Sequence, residues 1–248
     1  LHDRIASALH RRLLEAHAIP YTGSNAIASH FAMRKDLAKE LLKREGLKVL
    51  PSLTVKQDDD PEKISKQAHA LMGPSWIVKP AGRGSSVGVT IARTIPELIR
   101  SIEHARQFDS HVLIEKYIHR REATGAVIEN FRGEKYYALP IVEIIPPKGR
   151  FFDYESKYNG QTEEICPGRF SPRETTHMQD AAIRAHKALG CRHYSRTDMI
   201  LANDTIWMLE TNTLPGFTSE SLVPKAAEAI GLSFPQLLDH IVNLALKK

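Results

Sequence analysis

The sequence predicts an α+β fold with largely antiparallel sheets. Three observations carry this. Helical and strand patterns intermingle through the first 120 residues. From about residue 121 the texture becomes more β-rich, as in EATGAVIEN and KYYALPIVEII. Residues 196–216, RTDMILANDTIWMLETNTLPG, read as two apolar strands around the turn signal NDT, a β-hairpin.

Each element has its own reason. Residues 4–17, RIASALHRRLLEAH, have helical periodicity. IPYTGSNAIAS gives a turn, with Ser24 or Asn25 suited to cap a helix. FAMRKDLAKELLKREG is one strong amphipathic helix, stopped at Gly46. KVLPSLTV is a strand, PEKISKQAHALMG a helix with Pro61 in its first turn, and SWIVKP a short buried strand. AGRGSSVG is a small-residue loop before the strand VTIA. TIPELIRSIEHARQF is a helix and HVLIEKYI a strand. Residues 146–171 lack periodicity, and loops this long are usually functional or mobile. A helix at 172–189 precedes the hairpin, and helices at 221–231 and 233–247 close the chain.

Composition narrows the function. The 248 residues suffice for one large domain or two small ones, and 42% hydrophobic content is ordinary for a globular protein. No apolar run approaches the roughly 18 residues that would cross a bilayer. The charged N-terminus has no signal-peptide pattern. Cys166 and Cys191 make neither a disulfide framework nor a metal motif, which fits a reducing cytoplasm. The net charge of +5 suits nucleic acid or a small polyanion such as a nucleotide. The basic residues are scattered rather than gathered in a tract, so no nucleic-acid partner is expected.

Four stretches bear on chemistry. In the hairpin, Glu210 and Asn212 share a strand face, and pairing brings Asp198 beside them. Two carboxylates and an amide oxygen suit Mg²⁺, although an exposed hairpin with solvated acids has the same pattern. In IVKPAGRGSSVGV, Lys79 ends a buried strand, and the small residues let backbone amides approach phosphate. A flexible hairpin loop with a solvated lysine is the alternative. In VLIEKYIHRRE, Glu115 and the backbone after it suit a purine edge and Glu122 a ribose, or the stretch is an edge strand ending in solvated charge. FFDYESKYNGQTEEICPG carries Lys157 and Tyr158, as a lid over a charged substrate would, or it is a plain surface loop. The twelve histidines show no metal-ligand spacing, and GxSxG is absent.

Taken together, IPYTGSNAIAS, KPAGRGSSVGV, LIEKYI, FFDYESKY, SRTDMIL and LETNTLPGFTSESLVPKAA resemble the ATP-grasp superfamily, and within it the D-alanine–D-alanine ligases. The resemblance runs from about residue 19 to the end and matches in order, content and spacing. It implies an ATP-grasp fold, with two α+β subdomains clasping ATP between largely antiparallel sheets. Residues 1–30 would be the remnant of an N-terminal substrate domain, 31–121 the central subdomain, and 122–248 the C-terminal subdomain.

The resemblance also implies roles. Lys35 and Lys79 would contact ATP phosphates or the adenine region, with Ser85 and Ser86 in the loop over the phosphates. Glu115 and the backbone of Lys116 and Ile118 would bind adenine, and Glu122 the ribose. Lys157 would reach the γ-phosphate, and Tyr158 would sit near a second D-alanine. Asp198, Glu210 and Asn212 would hold Mg²⁺, normally two ions, with Mn²⁺ a substitute. Arg196 and the Gly216 backbone would stabilise an oxyanion, while Ser221 and Leu222 would bind the second carboxylate. The implied partners are D-alanine and ATP, with a homodimer common in the family and no membrane partner.

Two departures stand out. The family's N-terminal domain ends in a Gly-rich run, His-Gly-x-x-Gly-Glu-Asp-Gly. His2 matches the histidine, but the glycines and acids are not found, and the first glycine is Gly23. The phosphate loop has Arg83-Gly84 where relatives usually have Arg-Glu-Gly. The expectations are therefore a ligase completed by a further segment, or an ATP- and Mg²⁺-binding module without turnover; another ATP-grasp carboxylate–amine ligase is a third.

Overall fold

The computed structural model describes residues 3–84, 86–118, 120–146 and 162–246. Three helices come first: α1 (Asp3–Ala16), α2 (Ala26–Met33) and α3 (Lys35–Arg44). Next come β1 (Ser52–Lys56), α4 (Pro61–Met72), β2 (Trp76–Pro80), β3 (Thr90–Ala92), α5 (Ile95–Arg106) and β4 (His111–Lys116). The second half contains β5 (Arg121–Phe131), β6 (Glu134–Ala138), β7 (Val142–Ile145), β8 (Glu163–Ile165), α6 (Pro172–Ala188), β9 (Tyr194–Ala202), β10 (Thr205–Asn212), α7 (Leu222–Glu228) and α8 (Phe234–Leu246).

Local chemistry explains the helix ends. Asn25 caps α2, its side chain accepting from Ala28 N at 2.8 Å. Asp60 caps α4, and Ser171 and Glu174 form a reciprocal capping box on α6. Gly46, at φ 71°, ends α3.

The single helix expected over 31–46 is broken. Arg34 takes extended angles, and its guanidinium closes on Asp36 at 2.7 Å. The Lys35 amide donates to Ala81 O at 3.1 Å, so a tertiary contact starts a new helix where amphipathic periodicity alone would continue the old one. The strand expected from KVLPSLTV begins only at Ser52; ahead of it, Val49 makes a parallel bridge to Met208. Within the stretch read as irregular, β8 pairs with β7.

Among the described residues, two antiparallel sheets form. The first has the order β1-β4-β2-β3. The second runs β10-β9-β5-β7-β8, with β6 also pairing β5. Strand alternation sorts the first sheet's faces. Trp76, Val78, Val112 and Ile114 pack on α4 and α5, leaving Ile77, Lys79 and Glu115 on the other side. The second sheet is covered on both faces. Ala123, Val127, Met199 and Met208 pack on α6 and α3. Ala126, Ile128, Val142 and Tyr194 pack on α7 and α8. Ala32, Ala38 and Leu42 also contribute to the core of the second sheet. No helix among the described residues is long and apolar enough to cross a membrane.

Candidate active site between the two sheets

The face of the second sheet that packs on α7 and α8 opens at one end, where it meets the bare face of the first. The cleft between them is lined by Ile77, Lys79 and Glu115 on one side and by Glu122, Asp198 and Glu210 on the other.

On the first wall, Glu115 is only 1% exposed. Its two carboxylate oxygens pair with different lysines, Oε1 with Lys39 and Oε2 with Lys79. Burial pushes the Glu115 carboxyl upward, but Lys79 and Lys39 outweigh it and hold the pKa down at about 2. Burial lowers the Lys39 pKa, and Glu115 partly offsets that. Lys116 and Ile118 line the same end of the cleft. The Lys116 ammonium, however, donates to Pro74 O at 2.6 Å, so what it offers the cleft is its backbone and stem.

The loop after Lys79 is anchored to the turn between α5 and β4. Gly82 N donates to Asp109 Oδ2 at 2.8 Å, and Arg83 Nε to Phe108 O at 2.8 Å. Gly88 sits at φ +69°, where a Cβ would lie 2.7 Å from the Phe108 ring; glycine meets both demands. Arg83, Gly84 and Ser86 line the cleft, whereas Ser85 lies outside the described residues. Lys35 bridges the walls. Its ammonium donates to Arg83 O at 2.7 Å and lies 3.2 Å from Glu210 Oε2.

The second wall depends on a β-bulge. Met208 pairs with Met199, but Glu210 pairs with Asp198, so Leu209 is an extra residue in β10. Unbroken register would set Glu210 opposite Thr197, on the core side. The bulge turns it to the cleft beside Asp198, with Asn212 opposite Arg196. Arg196 grips Asp198 through two bonds of 3.0 Å, and Thr124 Oγ1 donates to Asp198 Oδ1 at 2.7 Å. Burial opposes the Arg196 charge, but Asp198 prevails and raises its pKa. Asn212 lines a small adjoining pocket with Lys35 and Glu210. Asp198 and Glu210, opposed on neighbouring strands, are oxygen donors of the kind a hard divalent cation takes; the Asn212 amide oxygen, two residues further along the strand, accepts from Leu214 N at 3.1 Å.

Leu222 reaches the cleft; Ser221 closes a turn with Thr218 beside it, its side chain against Gly216. Ser221 Oγ accepts from Thr218 N at 3.1 Å, and a Cβ on Gly216 would lie 2.8 Å from that oxygen. Lys157 and Tyr158 lie outside the described residues. Sequence reasoning missed Lys39, Thr124 and Leu209. For Lys39 the signal was its position one turn after Lys35 on α3.

Two antiparallel sheets clasping a cleft, lysines on one wall and acids on the other, define the ATP-grasp class, and solved structures of that class share the fold. The family model described as D-ala D-ala ligase C-terminus matches residues 41–243. The chain belongs to the D-alanine–D-alanine ligase family. It is 45% identical over 237 residues to the D-alanine–D-alanine ligase of Syntrophobacter fumaroxidans, covering 95% of this chain and 75% of that one. Identity to the ligase of Desulfotalea psychrophila is 43%, covering 95% and 73%. Among solved structures, the VanG D-Ala:D-Ser ligase of Enterococcus faecalis superposes with a TM-score of 0.85 at 34% identity, covering 95% of this chain and 68% of that one. The D-alanine–D-alanine ligase of Bacillus anthracis complexed with ATP gives 0.80 at 31% identity, covering 96% and 74%.

Proposed function

We propose that this protein is an ATP-dependent D-alanine–D-alanine ligase, making the dipeptide used in peptidoglycan precursors. The observation that carries the reading is the cleft itself. Lys35 and Lys79 face the opposed pair Asp198 and Glu210 in a chain of this family.

A carboxylate and an amine do not condense in water without activation. ATP phosphorylates the first D-alanine carboxylate, giving an acyl phosphate. The amine of the second D-alanine attacks the carbonyl carbon, and phosphate leaves as the amide forms. Positioning and charge neutralisation supply most of the catalysis in such phosphoryl transfer.

In this reading the backbone of Lys116 and Ile118, with Glu115, holds adenine, and Glu122 holds the ribose. Lys35, Lys79, Ser85 and Ser86 meet the phosphates. Asp198, Glu210 and Asn212 would hold Mg²⁺, as two ions, with Mn²⁺ an alternative. Bound metal neutralises and polarises phosphate oxygens. Arg196, oriented by Asp198, and the Gly216 amide stabilise the developing oxyanion. Ser221 and Leu222 receive the second carboxylate. Lys157 reaches the γ-phosphate, and Tyr158 favours D-alanine as second substrate. The enzyme works in the cytoplasm as a homodimer.

The test is phosphate release from Mg·ATP by the purified chain, with and without D-alanine, together with dipeptide detection. D-alanine-dependent release with dipeptide formed is expected. Mg·ATP hydrolysis that D-alanine does not stimulate, with no dipeptide formed, would refute the ligase reading for this chain, and, with D-serine also supplied, D-alanyl-D-serine formed in preference would refute the second substrate.

A further inference from the structure

On the reading above, Lys79 meets a nucleotide phosphate. Yet its ammonium is already paired with Glu115. A carboxylate this deeply buried cannot lose its only cation cheaply, because an unpaired charge away from water is strongly destabilising. Glu115 has a second cation. Lys39, with a side chain 2% exposed, takes the other carboxylate oxygen and donates to Leu50 O at 3.3 Å. The two lysines differ in access. The Lys79 side chain is 12% exposed and lines the cleft; that of Lys39 stands behind Glu115 and does not line it.

We propose that Lys39 is a positioning residue, the standing counter-ion of Glu115 that releases Lys79 to the nucleotide phosphates. The proposal rests on the nucleotide reading of the cleft. Two ammonium groups on one carboxylate leave one positive charge in surplus. Because each lysine holds a separate oxygen, Lys79 can turn to a phosphate while Glu115 stays ionised against Lys39. Without Lys39, Glu115 would have Lys79 as its one cation among the described residues and would compete with the phosphate for it.

The test is calorimetric titration of the full chain with ADP and with adenosine in Mg²⁺. The ratio of the adenosine dissociation constant to that of ADP isolates the contribution of the phosphates. Lys39→Met should lower that ratio by about tenfold, the value of one charge-assisted hydrogen bond, while adenosine affinity changes by less than about threefold. Adding Glu115→Gln removes the competing charge and should bring the ratio to within about twofold of Glu115→Gln alone. A purely structural role would weaken both ligands together and leave the ratio unmoved, and that result would overturn the proposal. If Lys39→Met does not fold, comparison of the double variant with Glu115→Gln still decides. Equal ratios support the proposal, and a lower ratio in the double variant overturns it. Failure of the unaltered chain to bind ADP would instead remove the nucleotide reading, and the proposal with it.

Discussion

The two sheets present opposite charge to the cleft they share. On the first wall, Lys39 and Lys79 flank a single carboxylate, leaving a positive charge over. On the second, among the described residues, Asp198 pairs with Arg196 and Glu210 lies 3.2 Å from Lys35, with Glu122 beside them in the cleft lining. Each wall limits the cost of buried charge by pairing, the first with lysines around one carboxylate and the second with carboxylates around one arginine. On the proposed reading, a nucleotide would touch the first wall directly and meet the second through bound cations. Lys35 stands between them, bonded to the loop of one and the acid of the other.

Breaking the second wall should have the largest effect. Asp198→Asn weakens a proposed metal ligand and the bidentate grip on Arg196, and should cut D-alanine-dependent phosphate release by about a thousandfold. Activity within about tenfold of the unaltered chain would mean that this wall does not work through cations. The first wall should fail in stability instead. Glu115→Ala leaves the buried Lys39 ammonium and the partly buried Lys79 ammonium without their acid and should cost about 3 kcal/mol in urea denaturation. A loss under about 1 kcal/mol would show the lysines to be solvated after all.

The same carboxylate gives a pH signature. Its folded pKa of about 2 lies below the ordinary 4.5, so its stabilisation is whole above that ordinary value and is lost as pH falls toward 2. The melting temperature of Glu115→Gln should accordingly fall less steeply than that of the unaltered chain over that range. A smaller effect belongs to the turn beside the second wall. Gly216→Ala would set a Cβ 2.8 Å from Ser221 Oγ. It should lower kcat about tenfold, since a small displacement near reacting groups is costly. An unchanged kcat would take the Gly216 backbone out of the site. Asn25→Ala touches neither wall and sets the baseline: about 1 kcal/mol from the lost α2 cap, with kcat unchanged.

The sequence made much of this legible where the signal is local. The Asn25 cap, the Gly46 stop and the Asn203–Asp204 turn follow from residue type, and both turn residues take positive φ. The hairpin acids and the motif set were readable because their order and spacing are specific. What could not be read depends on partners distant in sequence. The break at Arg34 is set by a carbonyl in the phosphate loop. Lys39 on an amphipathic helix resembles any solvated lysine until Glu115 is seen beneath it. Strand alternation correctly put Glu210 and Asn212 together, but which side they face is decided by Leu209, an otherwise ordinary leucine in an apolar run.

That leucine makes β10 sensitive to parity. Most substitutions at position 209 would leave the count of residues intact, and with it the side each neighbour faces. Deleting the residue would leave every acid in the chain and almost the same composition. Yet it would tuck Glu210 into the core or expel Met208 from it, since a strand of ordinary count cannot serve both. Around this site, a change in length would do more damage than a change in letters.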